Sequence, residues 1–324
     1  MRFSSRRFSR FVLPMALMAA TLAPCAAAAD EWVEPKFDPP VGSKWVIERE
    51  LNVEKNAGGT MVGHTLRETA LLTIEAKTAD GFVVTYTRQG STYDGDAGSA
   101  AEQRIAFQAL QGLVVRIDTD LSGKPLRIEN YADVKAALKR AIDSEPINTA
   151  NPEAIAKSRE LAQHMIDVDD KRAAELYLDE LPTLAMGQST GVKPDEIRKE
   201  TRPVANALSD SLTKTVMLSI VDDDPATGKV RYLMTETYDP DAMKALVSQA
   251  AREANPTAVN AALVETAIKS AVVSAVVRAQ LTVEGGVTRE LRKQSVTSFR
   301  LPGTISVTSE DELVTVTQAE VPTN

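Results

Sequence analysis

Residues 113–142 constrain the fold of this chain more than any other stretch. They read LVVRIDTDLSGKPLRIENYADVKAALKRAI, a strand, a tight turn, a second strand and a helix. In an extended chain Leu113, Val115 and Ile117 share one face, and Val114 and Arg116 take the other. After the turn, Leu126 and Ile128 alternate with Arg127 and Glu129. The connecting segment 118–125 is dense in turn formers, and Gly123 supplies a residue free to take positive φ. Asn130 can cap a helix with Asp133 in its first turn. Tyr131, Val134, Leu138 and Ile142 then recur at helical spacing until Pro146.

A looser echo occupies residues 216–251. Gly228-Lys229 answers Gly123-Lys124, Tyr238 answers Tyr131, and Lys244-Ala245-Leu246 resembles Lys135-Ala136-Ala137-Leu138. Both units are a hairpin with an acidic turn feeding a helix, so duplication and independent use of common hairpin chemistry are the two readings. Either predicts an α+β fold: a curved, mostly antiparallel sheet, as a meander or incomplete barrel, with helices packed on one face. Further alternating segments agree: 43–53, 60–77 and 82–88 are strands joined by short turns. Helices are predicted over 100–110, from Asn151-Pro152 to about Ile166, over 171–181, after Asp239-Pro240, and from Asn255-Pro256 to about Lys269. Residues 197–208 fit no single pattern. A polar strand at 287–299 reads as an edge or exposed strand, and 305–308 with 313–319 reads as a last hairpin. The Gly- and Ser-containing stretch 185–194 divides the chain into expected halves 30–186 and 187–324 of one domain.

The first 29 residues stand apart. Arg2, Arg6, Arg7 and Arg10 precede an apolar run at 11–22 too short to span a bilayer, and Ala27-Ala28-Ala29 offers a cleavage site. The expectation is a secretory signal and a periplasmic or secreted protein. Twin-arginine export through Arg6-Arg7 and lipidation at Cys25 are the competing readings. The residues after Arg7 and Pro24 before the cysteine depart from those two patterns. Cleavage removes four arginines, taking the formal charge from −8 to −12, and removes the single cysteine. The mature chain then holds no disulfide and no thiol nucleophile. An acidic chain without basic clusters is a poor partner for nucleic acid. No later apolar run without a charge is long enough for a transmembrane helix.

Candidate chemistry is sparse. Asp118, Asp120, Ser122, Gly123 and Glu129 fall on the spacing of a calcium loop, which needs several oxygen ligands, a glycine bend and a closing carboxylate. Pro125 and the strand-like flanks favour a solvated hairpin turn instead. Asp222-Asp223-Asp224 is a second acidic turn. His64 and His164 lack companions at metal spacing. No nucleophile elbow and no glycine-rich phosphate loop occur. Aromatics are only 5% of the chain, which disfavours a carbohydrate cleft with paired carboxylates.

A signal peptide followed by a long antiparallel meander with helices across one side resembles the LolA-like group of periplasmic lipoprotein carriers, and also uncharacterised secreted bacterial proteins. The resemblance is one of element order and covers no shared motif. It implies a non-catalytic protein holding an apolar small molecule or lipid between sheet and helices. Trp45, Phe82, Leu126, Leu218 and Met243 are the expected pocket residues. The alternative is an envelope assembly protein that offers a sheet edge near 287–299, or an acidic surface, to another envelope protein. A carboxylate-based hydrolase is the third reading.

Overall fold

The computed structural model describes residues 33, 35–95, 111–144, 163, 166–177, 191–204, 212–224, 226–254, 266, 268–301 and 304–319. The expected signal peptide, the helix predicted over 100–110, most of the helices predicted from Asn151 to about Ile166 and from Asn255 to about Lys269, and His164 lie outside them. In chain order the strands are β1 (Lys44–Ala57), β2 (Thr60–Lys77), β3 (Gly81–Gly95), β4 (Val114–Asp120), β5 (Pro125–Ile128), β6 (Arg198–Pro203), β7 (Thr213–Asp224), β8 (Lys229–Tyr238), β9 (Val272–Glu284), β10 (Val287–Leu301) and β11 (Thr304–Gln318). The helices are α1 (Tyr131–Ser144), α2 (Asp170–Tyr177) and α3 (Pro240–Ala254).

All eleven strands form one open sheet in the order β5-β4-β3-β2-β1-β11-β10-β9-β8-β7-β6, with antiparallel neighbours throughout. The expected α+β layering is therefore corrected: among the described residues the protein is mostly antiparallel strand and nearly all β, with few helical residues. The reason is strand length. The strands β9, β10 and β11 run for 13, 15 and 15 residues, so the described residues beyond α3 are almost entirely sheet. Residues 305–308 and 313–319 belong to one strand, because the polar residues between them pair with both neighbours. Residues 287–299 are no edge either: β10 lies between β9 and β11. Its polar side chains decorate the solvated face of an internal strand, as antiparallel sheets allow. The edges are the short β5 and the charged β6, which suits protection against edge-to-edge pairing.

Most neighbouring strands are joined by tight hairpins. Gly285 and Gly286, with φ of 57° and 74°, link β9 to β10 in the conformation a two-residue turn requires. At the centre of the sheet β1 and β11, from opposite ends of the chain, pair over a long register, from Trp45↔Gln318 to Ala57↔Ser306. No turn sets that register, so side chains must.

Alternation divides each strand into a buried and a solvated side. On the buried, inner side stand Trp45, Ile47, Ala70, Leu72, Ile74, Phe82, Val84, Tyr86, Val115 and Ile117 from one arm. Val230, Tyr232, Leu281, Val283, Leu291, Val314 and Val316 come from the other, and all join one cluster. Burying each large apolar side chain contributes about 1.5–3 kcal/mol. The lead-in peptide draws the arms together. Phe37 packs edge-on against Phe82 at 5.2 Å, and a Cβ on Gly123, in the β4–β5 turn, would lie 2.9 Å from its ring. A Cβ on Gly286, in the β9–β10 turn, would collide with the Lys36 carbonyl. Two turns far apart in strand order thus meet on one pair of residues, so the sheet curls around this apolar floor.

Candidate functional site

Moving along the strands away from the floor, the inner side changes character. Arg88 on β3, Glu68 on β2, Arg49 on β1, Glu312 on β11 and Lys293 on β10 form a row of alternating charge across neighbouring strands. Arg88 Nε is paired with Glu68. Arg49 Nε donates to Glu312 Oε1 at 2.7 Å, and Lys293 Nζ donates to Glu312 Oε2 at 2.7 Å. Arg49, Glu68, Arg88 and Glu312 are all buried, whereas the Lys293 side chain is 34% exposed. Burial alone would raise the Glu312 carboxyl. The charges and hydrogen bonds of Arg49 and Lys293 overcome that and hold it below the usual carboxylate range.

A second charged cluster lies on the other arm. Lys214 Nζ donates to Glu236 Oε1 at 2.6 Å between β7 and β8. On β6, Glu200 pairs with Arg202 and, at 3.4 Å, with Arg198. Tyr238 shares this side. Burial, then the carboxylates of Glu236 and Glu310, push its phenol up to about 12. Between the two clusters runs β9, whose inner positions Val273, Ala275, Val277 and Ala279 are small and buried. Helix α3 lies against β9. The outward β9 residues Val272 and Ser274 are exposed, so α3 sits on the inner side. Its apolar residues Met243, Leu246 and Val247 nevertheless remain only half-buried.

Buried ion pairs contribute little net stability over apolar replacements, so their use across an inner face invites a functional reading or one of register. Sequence reasoning missed this band, although a signal existed. Arg49 sits between Ile47 and Leu51, Glu68 between Leu66 and Ala70, and Glu312 two residues before Val314. A charge at the apolar phase of an alternating strand was the mark to follow.

The expected pocket residues fare unequally. Trp45, Phe82 and Leu218 are buried members of one cluster. Leu126 is 46% exposed: a register shift between Asp118 and Thr119 turns Pro125 and Ile128 inward and Leu126 outward. Met243 lies half-buried on α3. The acidic turn does not converge. Asp118 Oδ2 accepts from Arg127 at 2.5 Å and Glu129 Oε2 from Arg116 at 2.9 Å. Asp120 Oδ1 accepts from Ser122 N, Ser122 Oγ and Lys124 N, closing the turn. Among the described residues, no three of His, Cys, Asp or Glu gather as a metal ion would need. In the other acidic turn, hydrogen bonds from Thr227 and the Ala226 amide hold Asp224 below its ordinary value, and Asp222 pairs with Arg231. His64 packs against Tyr93 at 5.3 Å.

Fold and site together define an open antiparallel sheet with a charged band inside it. No family model matches the sequence, and no curated protein matches it. Among solved structures, the chain is similar to one of lipid–protein interactions in lipovitellin, at 8% identity and a TM-score of 0.41, over 89% of this chain and 26% of that one. It therefore spans about a quarter of that chain's length. It is also similar to an outer membrane channel from Pseudomonas putida F1, at 6% identity and a TM-score of 0.20, over 86% of this chain and 97% of that one. Likenesses at this level bear on neither ligand nor location. No helix among the described residues is long and apolar enough to cross a membrane.

Proposed function

We propose that this is an exported, non-catalytic binding protein that receives an apolar ligand between α3 and the inner side of β9. One observation carries the reading: α3 presents Met243, Leu246 and Val247 half-exposed beside a strand whose inner side chains are small. A helix with an apolar stripe gains its stability by burying that stripe, and here the stripe is only partly buried. Ala275 and Ala279 on that strand are small and buried. Trp45, Phe82 and Leu218 belong to the packed floor on which such a site rests, and Met243 belongs to its cover.

Native mass spectrometry of protein purified from the envelope without detergent tests the proposal. A co-purifying apolar mass, lost in Met243→Glu, is the expected result. An empty wild-type protein that also ignores an added apolar fluorophore such as N-phenylnaphthylamine would refute it.

A further inference from the structure

We infer that the ligand is an amphiphile with a compact anionic head, and that Lys293, backed by Arg49, receives that head. The inference rests on the binding site just proposed and adds the class of its ligand. Arg49, Arg88 and Lys293 carry three positive charges against the two carboxylates of Glu68 and Glu312. The other arm sets Arg198, Arg202 and Lys214 against Glu200 and Glu236. Glu310 faces Tyr238 and accepts from Ser295 Oγ at 3.1 Å. With Glu310 counted this arm is balanced, and the two arms together carry six cations against five acids among the residues named. A chain of formal charge −8 thus places slightly more cations than acids among the described residues of this inner side. Such an imbalance in a region of low dielectric favours an incoming anion.

Access singles out Lys293. Of the five residues in the row it alone is substantially exposed, and its Nζ reaches the carboxylate that Arg49 also serves. An incoming carboxylate or phosphate oxygen can be shared by the Lys293 ammonium without dismantling the Arg49–Glu312 pair. Position completes the case. Lys293 pairs in register with Ala279 on β9, the strand that α3 contacts, and from Ala279 to Val273 is a run of roughly 20 Å at strand rise. A long acyl chain laid along β9 would have its tail under α3 and its head at Lys293.

The test compares palmitate, hexadecyl phosphate and hexadecanol, which share one chain length, on the full-length mature protein by isothermal titration. Expected is binding of one or both anions at least tenfold tighter than hexadecanol, with the preferred anion separating carboxylate from phosphate recognition. Lys293→Met should abolish the preference, and Lys293→Arg should restore it. Equal affinity for all three probes would overturn the head-group assignment and leave the apolar site standing. Failure of all three to bind would overturn both. A preference that survives Lys293→Met would overturn the role of Lys293.

Discussion

The hairpin–helix units β4–β5–α1 and β7–β8–α3 share a sequence pattern and reach opposite packing outcomes. Both helices are amphipathic to the same degree. In the first, Tyr131, Val134, Ala137 and Leu138 are all buried, and Lys135 Nζ lies 4.6 Å over the Tyr131 ring. In the second, Met243, Leu246 and Val247 stay half-buried, and Tyr238, the counterpart of Tyr131, keeps two carboxylates for company. The helices differ because the surfaces beneath them differ. α1 meets an apolar floor completed by Ile117 and Ile128. α3 lies beside a strand of alanines and valines flanked by ion pairs. Equal amphipathicity becomes equal burial only when the facing surface is large and apolar enough to cover the stripe.

The sharpest way to break this contrast is to remove the charge that defines the second surface. Arg49→Met takes one cation from buried Glu312, and loss of one partner from a buried pair costs about 3–5 kcal/mol. Pairing it with Glu312→Leu should restore most of that loss, as chemical denaturation of both variants would show. If the single variant is as stable as the wild type, the band is no part of the fold's energetics, and side-chain control of the β1–β11 register goes with it.

Helix truncations come next. Leu138→Ala removes a fully packed side chain and should cost about 2–5 kcal/mol. Met243→Ala should cost under about 1 kcal/mol, the range of substitutions away from packed cores. Equal losses in thermal or urea melts would erase the difference between the two helices.

Acid behaviour offers a smaller effect with a definite sign. The folded Glu312 carboxyl is depressed below its ordinary 4.5. Its contribution to stability is therefore complete above that pH and lost as pH falls through the folded value. Glu312→Gln should lower stability at neutral pH and flatten the loss below about pH 4.5. Unfolding curves at several acid pH values would detect the change, and an unaltered acid slope would rule it out. Smallest of all is calcium. Because the acids at 118–129 are engaged with Arg127, Arg116 and the turn's own donors, millimolar calcium should leave the melting temperature unmoved. A shift abolished by Asp118→Ala would overturn that account.

The antiparallel strands were legible in the sequence for local reasons, whereas the expected α+β layering was not what the chain forms. Alternation around Ile117, Leu218 and Ile220, with Gly-containing turns, fixed the strands and their antiparallel sense. What escaped was global. Pairing of β1 with β11 joins residues such as Arg49 and Glu312 that sit 263 apart in sequence, and no local pattern encodes that neighbour. Polar β10 looked like an edge because its solvated side dominates its composition. Leu126 was placed inward by simple alternation, and a bulge reversed it. The charged band was within reach, since each member sits at an inward phase. Charges on strands are ordinarily assigned to solvent, and the band shows only when several strands are read in register.

Hydrogen exchange with mass spectrometry on the purified protein, with and without saturating palmitate, tests the central claim most directly. Local opening free energy tracks packing, so amides of α1 should exchange near the global unfolding rate and those of α3 at least tenfold faster. Palmitate should slow α3 and leave α1 unchanged. Equal protection of the two helices without ligand, together with no response of α3 to palmitate, would contradict the account.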